Sequence, residues 1–281
     1  MNPKIRDIVQ ELTPPVVYRF LSRVYLTARG LGWDTFYGYP TLADVPATRN
    51  GQNSDWYVKY ATKQAENLKL EISRSPMGND AGLLVLPLLV SAALDGESIV
   101  TVLDFGGGVF KGLTTILEHV PDLKGLRYIL VETPTMCRAV RDLLTKIQKE
   151  KFGGTAFIEA IDDIPSSLPH PLIVHARSSI QYISEYEVAL SRLLALAPEA
   201  FVIAHTPVTD APTFAQAQRN HPHRTLARWV FNRDNLIAEI EKRGYRLACI
   251  FDHALLETYR DSKLMNDVSM VFHRLNYGKA R

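Results

Sequence analysis

Two hydrophobic rhythms divide the chain near residue 95. Before it, apolar positions recur at helical intervals. Ile5, Ile8, Val9, Leu12, Val16, Val17, Phe20, Leu21 and Val24 are spaced for helices that Pro14 and Pro15 divide. Tyr57, Ala61, Ala65, Leu68 and Ile72 form one apolar stripe, which predicts a helix over 54–72 with Asn53 or Ser54 as its cap. The run "LLVLPLLVSAAL" at 83–94 falls well short of the roughly 20 residues a bilayer requires. It reads as a buried core helix, kinked or started at Pro87.

From residue 99 the rhythm becomes short β-rich runs alternating with helical patterns, which argues for parallel strands joined by crossover helices. Strands are expected at 99–104, 127–132, 155–159, 172–176, 200–205, 246–251 and 268–275. Ser184 with Glu187 forms a capping-box pattern ahead of "SEYEVALSRLLALA". Asn232 opens "RDNLIAEIEKR", which Gly244 closes. No helical pattern separates the last two strands, so that pair is expected to be antiparallel. The stretch 206–229 reads as a long connection, of the kind more often used as a lid than as a plain linker. The expected domains are an amino-terminal helical extension at 1–95 and an α/β domain at 96–281.

Composition changes this picture little. The 281 residues are 46% hydrophobic and 22% charged, with a formal net charge of +2, which gives no general nucleic-acid footprint. Cys137 and Cys249 stand far apart and outside any metal-ligand spacing, so a reduced, cytoplasmic protein is the expectation. The start of the chain lacks the order of a secretory signal. Its first 30 residues are basic and amphipathic, and two readings stay open: peripheral contact with an anionic membrane, or packing on the α/β domain or a second subunit.

The chemistry concentrates in "VLDFGGGVFKG", residues 102–112, where Gly106, Gly107 and Gly108 follow Asp104 and Phe105 at a strand end. A dinucleotide fingerprint fails because Lys111 stands where its third glycine belongs, and a Walker A loop fails because Leu113 stands where its lysine belongs. An acid beside the turn would repel a pyrophosphate. S-adenosylmethionine instead carries a sulfonium and an ammonium, both positive. Glu132 ends the next strand, where a carboxylate can accept from both ribose hydroxyls. Asp104, the glycines and Glu132 together fit such an adenosyl ligand.

These segments, with "YILVETP", "SSIQYI" and "IAHTP", resemble class I S-adenosylmethionine-dependent methyltransferases. Within them they resemble a bacterial subgroup associated with polysaccharide and O-antigen gene clusters. The likeness runs from "GWDTFYGYP" at residue 32 to the final strand. It implies a Rossmann-like seven-stranded sheet, parallel except for the last strand, with the cofactor over the carboxyl ends of the first strands. It also implies that Asp162, in "AIDDIP", lies near the adenine amino group. Ser178 is a further candidate for the cofactor pocket, and for Tyr182 two readings stay open: a wall of the cofactor or acceptor pocket, or a structural aromatic. Where the subgroup's pattern has an arginine before "TP", this chain has Ala204 and His205.

Methyl transfer to oxygen or nitrogen needs an aligned nucleophile and, for a hydroxyl, a base. His205, at the end of the fifth predicted strand, is the first candidate. His175, at the end of the fourth, is the second, although its alternation in "LIVHARSS" also fits burial. Arg224, Arg228 and Trp229, with Arg219, are candidates for an anionic acceptor such as a nucleotide sugar. His221 and His223 have a metal-compatible spacing but no third ligand in their segment, so no metal is expected. The leading expectation is methyl transfer to a sugar or another hydroxylated small molecule. The rivals are a nucleotide-sugar or NAD-dependent oxidoreductase and a cofactor-binding partner protein without catalysis.

Overall fold

A computed structural model of the chain describes residues 35–46, 81–94, 99–120, 125–146, 155–221, 224–252 and 265–275, with Lys59 and Lys63, both helical. Residues 1–30, most of the helix expected over 54–72, His223, and the side chains of Arg219, His221 and Arg224 lie outside the described residues.

The central sheet has the predicted strands. β2 (Val100–Phe105), β3 (Leu126–Val131), β4 (Thr155–Ile158), β5 (Leu172–Arg177) and β6 (Ala200–Thr209) are joined by parallel pairings in the order β4-β3-β2-β5-β6. β10 (Asn266–Arg274) pairs antiparallel with β6 and with β9 (Tyr245–Asp252). These are the seven expected strands, with only the last of them reversed, and they form part of a larger, ten-stranded sheet. The chain runs outward from β2 through β3 to β4, then returns to β5 and builds the other way. The ends of β2 and β5 therefore flank the switch point where open α/β sheets bind ligands.

Successive strand residues face opposite sides. On one side Val100, Val102, Tyr128, Leu130 and Ile173 pack with α1 (Ala81–Leu94), α2 (Lys111–His119) and α3 (Pro134–Lys146). On the other, Leu103, Ile129, Leu172, Val174 and Ile203 pack with α4 (Tyr186–Ala195) and α5 (Arg233–Glu241). Helix α1 holds Pro87 within it and buries Leu86 and Val90 completely, but Leu84 and Leu88 are exposed, so the 83–94 run is a helix packed by one face rather than the buried core helix expected. Helix α5 is capped as read: the Asn232 side chain accepts from the Asn235 N–H at 2.9 Å, and Gly244 follows its end at φ +87°. The Ser184–Glu187 box does not form. α4 starts only at Tyr186, which places Glu187 second in the helix, and its N-cap Glu185 makes no side-chain cap bond.

The largest difference from the sequence reading is at 206–229. That stretch is not a loop. β6 outruns β5, whose last pair is Arg177 with Ala204, and its extension pairs parallel with β8 (Arg224–Asn232) at Val208 and Thr209. β8 pairs antiparallel along its length with β7 (Phe214–His221), and β7 with β1 (Thr35–Tyr39). The strand β1 lies in a part of the chain read as mainly helical. Its "TFYGY" is rich in β-formers and stands between Asp34 and Pro40, a strand signal that the helical reading of this part passed over.

Candidate active site

Strand β2 delivers the glycine turn to the carboxyl edge. Gly106 and Gly108 adopt φ +69° and +58°, a left-handed conformation that costs a side chain roughly 1–2 kcal/mol. Gly106 also touches Ser179 so closely that a Cβ would displace it, and a Cβ on Gly107 would meet the Asp104 carboxylate and Leu130. Gly108 differs: a Cβ there meets nothing within 4 Å. The first two glycines let the turn pack inward, and the third presents bare backbone to open space.

Glu132, just past β3, closes on this turn. Its Oε1 accepts from the Gly108 N–H at 3.1 Å and its Oε2 from the Thr133 N–H at 2.8 Å. Loss of solvent pushes its carboxyl above the usual range, an effect only partly offset by those two N–H groups and reinforced by the charge of Asp104. Behind it, the Cys137 thiol donates to the Glu132 carbonyl at 3.5 Å, and burial raises that thiol.

Asp104 is not where its spacing suggested. It is fully buried on the side of the sheet that carries α1 and α2, behind the turn. Its Oδ1 faces His175 Nδ1 at 2.8 Å, and its Oδ2 accepts from the Tyr128 hydroxyl. Burial and then the charge of Asp104 push the Tyr128 hydroxyl well above its ordinary range. The attraction of a cationic ligand to Asp104 is therefore lost, and the cofactor reading rests on Glu132 and the glycine turn. His175 is also removed from the catalytic candidates: paired in register with Asp104 and 1% exposed, it is closed to any acceptor. Phe105 faces the opposite side of the sheet, in the main apolar core, rather than the turn.

His205 lies one residue past the last pair of β5 with β6, but not at a strand end as read, because β6 runs on to Thr209, and it takes a conformation that the sequence did not announce. Val268 pairs with Thr206 while Met270 pairs with Ile203, so Ala204 and His205 together oppose Ser269 in a β-bulge. The half-buried His205 takes φ +50° there, and Ser178, ending β5, takes φ +49°. The two residues meet: the Ser178 hydroxyl donates to the His205 carbonyl at 3.4 Å. Gln181, missed in the sequence, donates its Nε2 to the same carbonyl at 3.2 Å, and the His205 N–H donates to Ser269 Oγ at 3.3 Å. Ser179 links this cluster to the glycines through Gly106.

The remaining candidates are dispersed. Asp162 is exposed in the turn after β4 and forms an ion pair with Arg192 of α4. Tyr182 is half-buried and donates to Gln218 Oε1 of β7 at 2.7 Å, tying the end of β5 to the hairpin. Arg228 and Trp229 do not form one surface, since neighbouring strand residues face opposite ways. Arg228 is buried opposite Gln216, whose amide oxygen, once turned toward it, accepts from Nη2 at 2.7 Å and Nε at 3.2 Å. Trp229 is in the apolar core, donating its indole N–H to the Ile183 carbonyl at 3.0 Å and meeting Tyr186 edge-on at 5.7 Å. Among the described residues no three His, Cys, Asp or Glu side chains gather as a metal site, and no helix is long and apolar enough to cross a membrane.

No protein-family model and no curated protein matches the chain. Solved structures do. The 1,6-didemethyltoxoflavin-N1-methyltransferase of Burkholderia thailandensis, solved with 1,6-didemethyltoxoflavin and S-adenosylhomocysteine, is 17% identical, with a TM-score of 0.46 over 78% of this chain and 90% of its own. A S-adenosylmethionine-dependent methyltransferase from Clostridium acetobutylicum is 10% identical, with a TM-score of 0.48 over 79% of this chain and 100% of its own. The amino-terminal domain of EvdMO1, solved with S-adenosylhomocysteine and D-fucose, is 11% identical, with a TM-score of 0.49 over 80% and 100%. What this chain shares with them is a mixed α/β fold with a central parallel sheet.

Proposed function

We propose that the protein is an S-adenosylmethionine-dependent methyltransferase acting on an oxygen of a sugar or another hydroxylated small molecule. The observation that carries the cofactor assignment is the Glu132 carboxylate, desolvated and hydrogen-bonded to the N–H of the outermost glycine. A ligand bringing hydroxyl donors relieves that carboxylate. A phosphate at the same place would face it and find the Gly108 N–H already taken, which counts against a dinucleotide or ATP. The open space at Gly108 admits such a ligand against the backbone, so the residues present fit the adenosyl group.

Glu132 would hold the ribose and the Gly106–Gly108 turn the adjoining part of the ligand. When bound, S-adenosylmethionine supplies an electrophilic methyl group. The chain supplies the rest: His205, at the carboxyl edge beyond the last residue pair of β5, takes the proton of the acceptor hydroxyl, and its strained, clamped backbone holds the ring at one place. The end of β5 beside β6, with Ser178 and Tyr182, would form the wall between cofactor and acceptor.

The test is thermal stabilisation. S-adenosylmethionine and S-adenosylhomocysteine should raise the melting temperature, and NAD and ATP should not. Equal stabilisation by NAD would overturn the cofactor assignment and return the oxidoreductase reading. Stabilisation without transfer of a labelled methyl group to any sugar in a broad panel would favour a binding protein without catalysis.

A further inference from the structure

Strand residues normally spend their backbone groups on the neighbouring strands. His205 spends its own on side chains. Its carbonyl accepts from Ser178 Oγ and Gln181 Nε2, and its N–H donates to Ser269 Oγ. These donors and acceptors come from the end of β5, from the turn that follows it and from β10. They converge on a residue other than glycine at φ +50° inside a bulge. A left-handed conformation of that kind persists only where its surroundings over-determine it. Gln181 is itself buried, and its carboxamide oxygen has no partner among the described residues, so the side chain is fixed by this one bond.

We infer that Ser178, Gln181 and Ser269 are positioning residues: they hold His205 in its left-handed bulge and so aim the imidazole at the methyl-transfer edge. The inference rests on the proposed role of His205 as base. Through Ser179, packed against Gly106, the same clamp fixes that edge relative to the glycine turn. A clamp acting this way governs rate more than affinity, because misplacing a reacting group by about 1 Å can cost up to roughly a hundredfold in rate.

The test uses the full chain with its eight histidines isotopically labelled in the ring. The His205 imidazole signal is assigned by its disappearance in His205→Ala. Gln181→Met, which keeps the volume but removes the donor, should shift or broaden that signal while leaving the affinity for S-adenosylhomocysteine unchanged. Transfer from tritiated S-adenosylmethionine to a panel of free and nucleotide-linked sugars should lose kcat by tenfold or more, with little change in KM. Ser269→Ala approaches the clamp from the other strand and should act in the same direction, which keeps the test alive if Gln181→Met does not fold.

An unchanged His205 signal in both variants overturns the clamp, whatever acceptor is found. If His205→Ala abolishes transfer while both clamp variants transfer normally, the clamp fails and the proposed function stands. If His205→Ala transfers at the native rate, the role of His205 fails instead.

Discussion

At the carboxyl edge the backbone turns left-handed in two places, and the two are built differently. The cofactor side uses Gly106 and Gly108 in its turn, for which φ near +60° carries no steric cost, and only Phe110, beyond them at the start of α2, takes φ +63° with a side chain. The acceptor side uses Ser178 and His205, for which it does, and holds His205 with three side chains from two separate segments, Ser178 and Gln181 after β5 and Ser269 on β10. The lesson is that a site recognising an invariant ligand can be written in local sequence, whereas a site that must aim one reactive side chain recruits partners from distant segments.

The largest expected effect separates the two sides. His205→Ala should lower methyl transfer by about a hundredfold to ten-thousandfold, the usual cost of losing a general base, and His205→Gln should not restore it. S-adenosylhomocysteine affinity, measured by calorimetry, should be preserved in both. A parallel loss of affinity would mean that the two sides are one site and would dissolve the comparison.

Glu132 gives the next effect, with opposite signs for binding and folding. Glu132→Ala should weaken S-adenosylmethionine binding by about 1.5–3 kcal/mol, the range for hydrogen bonds to a charged group. Its carboxyl is raised in the folded state, from 4.5, by desolvation first. The folded state therefore binds its proton more tightly than the unfolded state does, so the stabilising contribution is complete at pH below 4.5 and is lost as pH rises through the folded value. Glu132→Gln, which ends that titration, should melt higher than the native protein at neutral pH, with the gain shrinking toward acid. Superimposable melting profiles across that range would show that the carboxylate is not desolvated.

The smallest effect compares the two turns directly. Gly108→Ala should destabilise the fold by about 1–2 kcal/mol through its left-handed backbone alone, since its Cβ meets nothing. His205→Gly should recover part of the same quantity, reduced by the roughly 0.5–1 kcal/mol of extra freedom glycine has in the unfolded chain. Urea denaturation measures both. Destabilisation by His205→Gly would mean that the bulge is not strained.

The same contrast explains what the sequence disclosed. The seven strands followed from periodicity and the antiparallel last pair from the lack of a helical pattern between its strands, whereas the sheet with only its last strand reversed was what the family resemblance implied. The glycine turn and Glu132 were legible because they follow strand ends directly. The β7–β8 hairpin was not. Its core-facing positions on β7 are Ala215 and Ala217, small residues that give a weak alternation, and the other partner of β7 is Thr35–Tyr39, far earlier in the chain. The alternation of Ala227, Trp229 and Phe231 on β8 was the available signal, and it ran through residues read as an acceptor surface. Asp104 misled because strand-end spacing gives position but not facing. The pairing of Asp104 with His175 buries both on the helix-covered side, and only the register between β2 and β5 shows it. Gln181 carried no sequence signal, because the group it serves is a backbone carbonyl from another strand.

Strand β6 joins these observations. Along Ala200–Ile203 it is bonded to β5 on one edge and β10 on the other, and its far end is shared by β10 and β8. Amide hydrogens there lie between two neighbouring strands with no free edge to fray from, so they should be among the slowest to exchange and should report global opening rather than local breathing. His205 is anchored just past this slowest clock, by the Ser178, Gln181 and Ser269 side chains. Whatever motion admits an acceptor and releases a product is then made by the faster parts around it, past a residue that keeps its place from one turnover to the next.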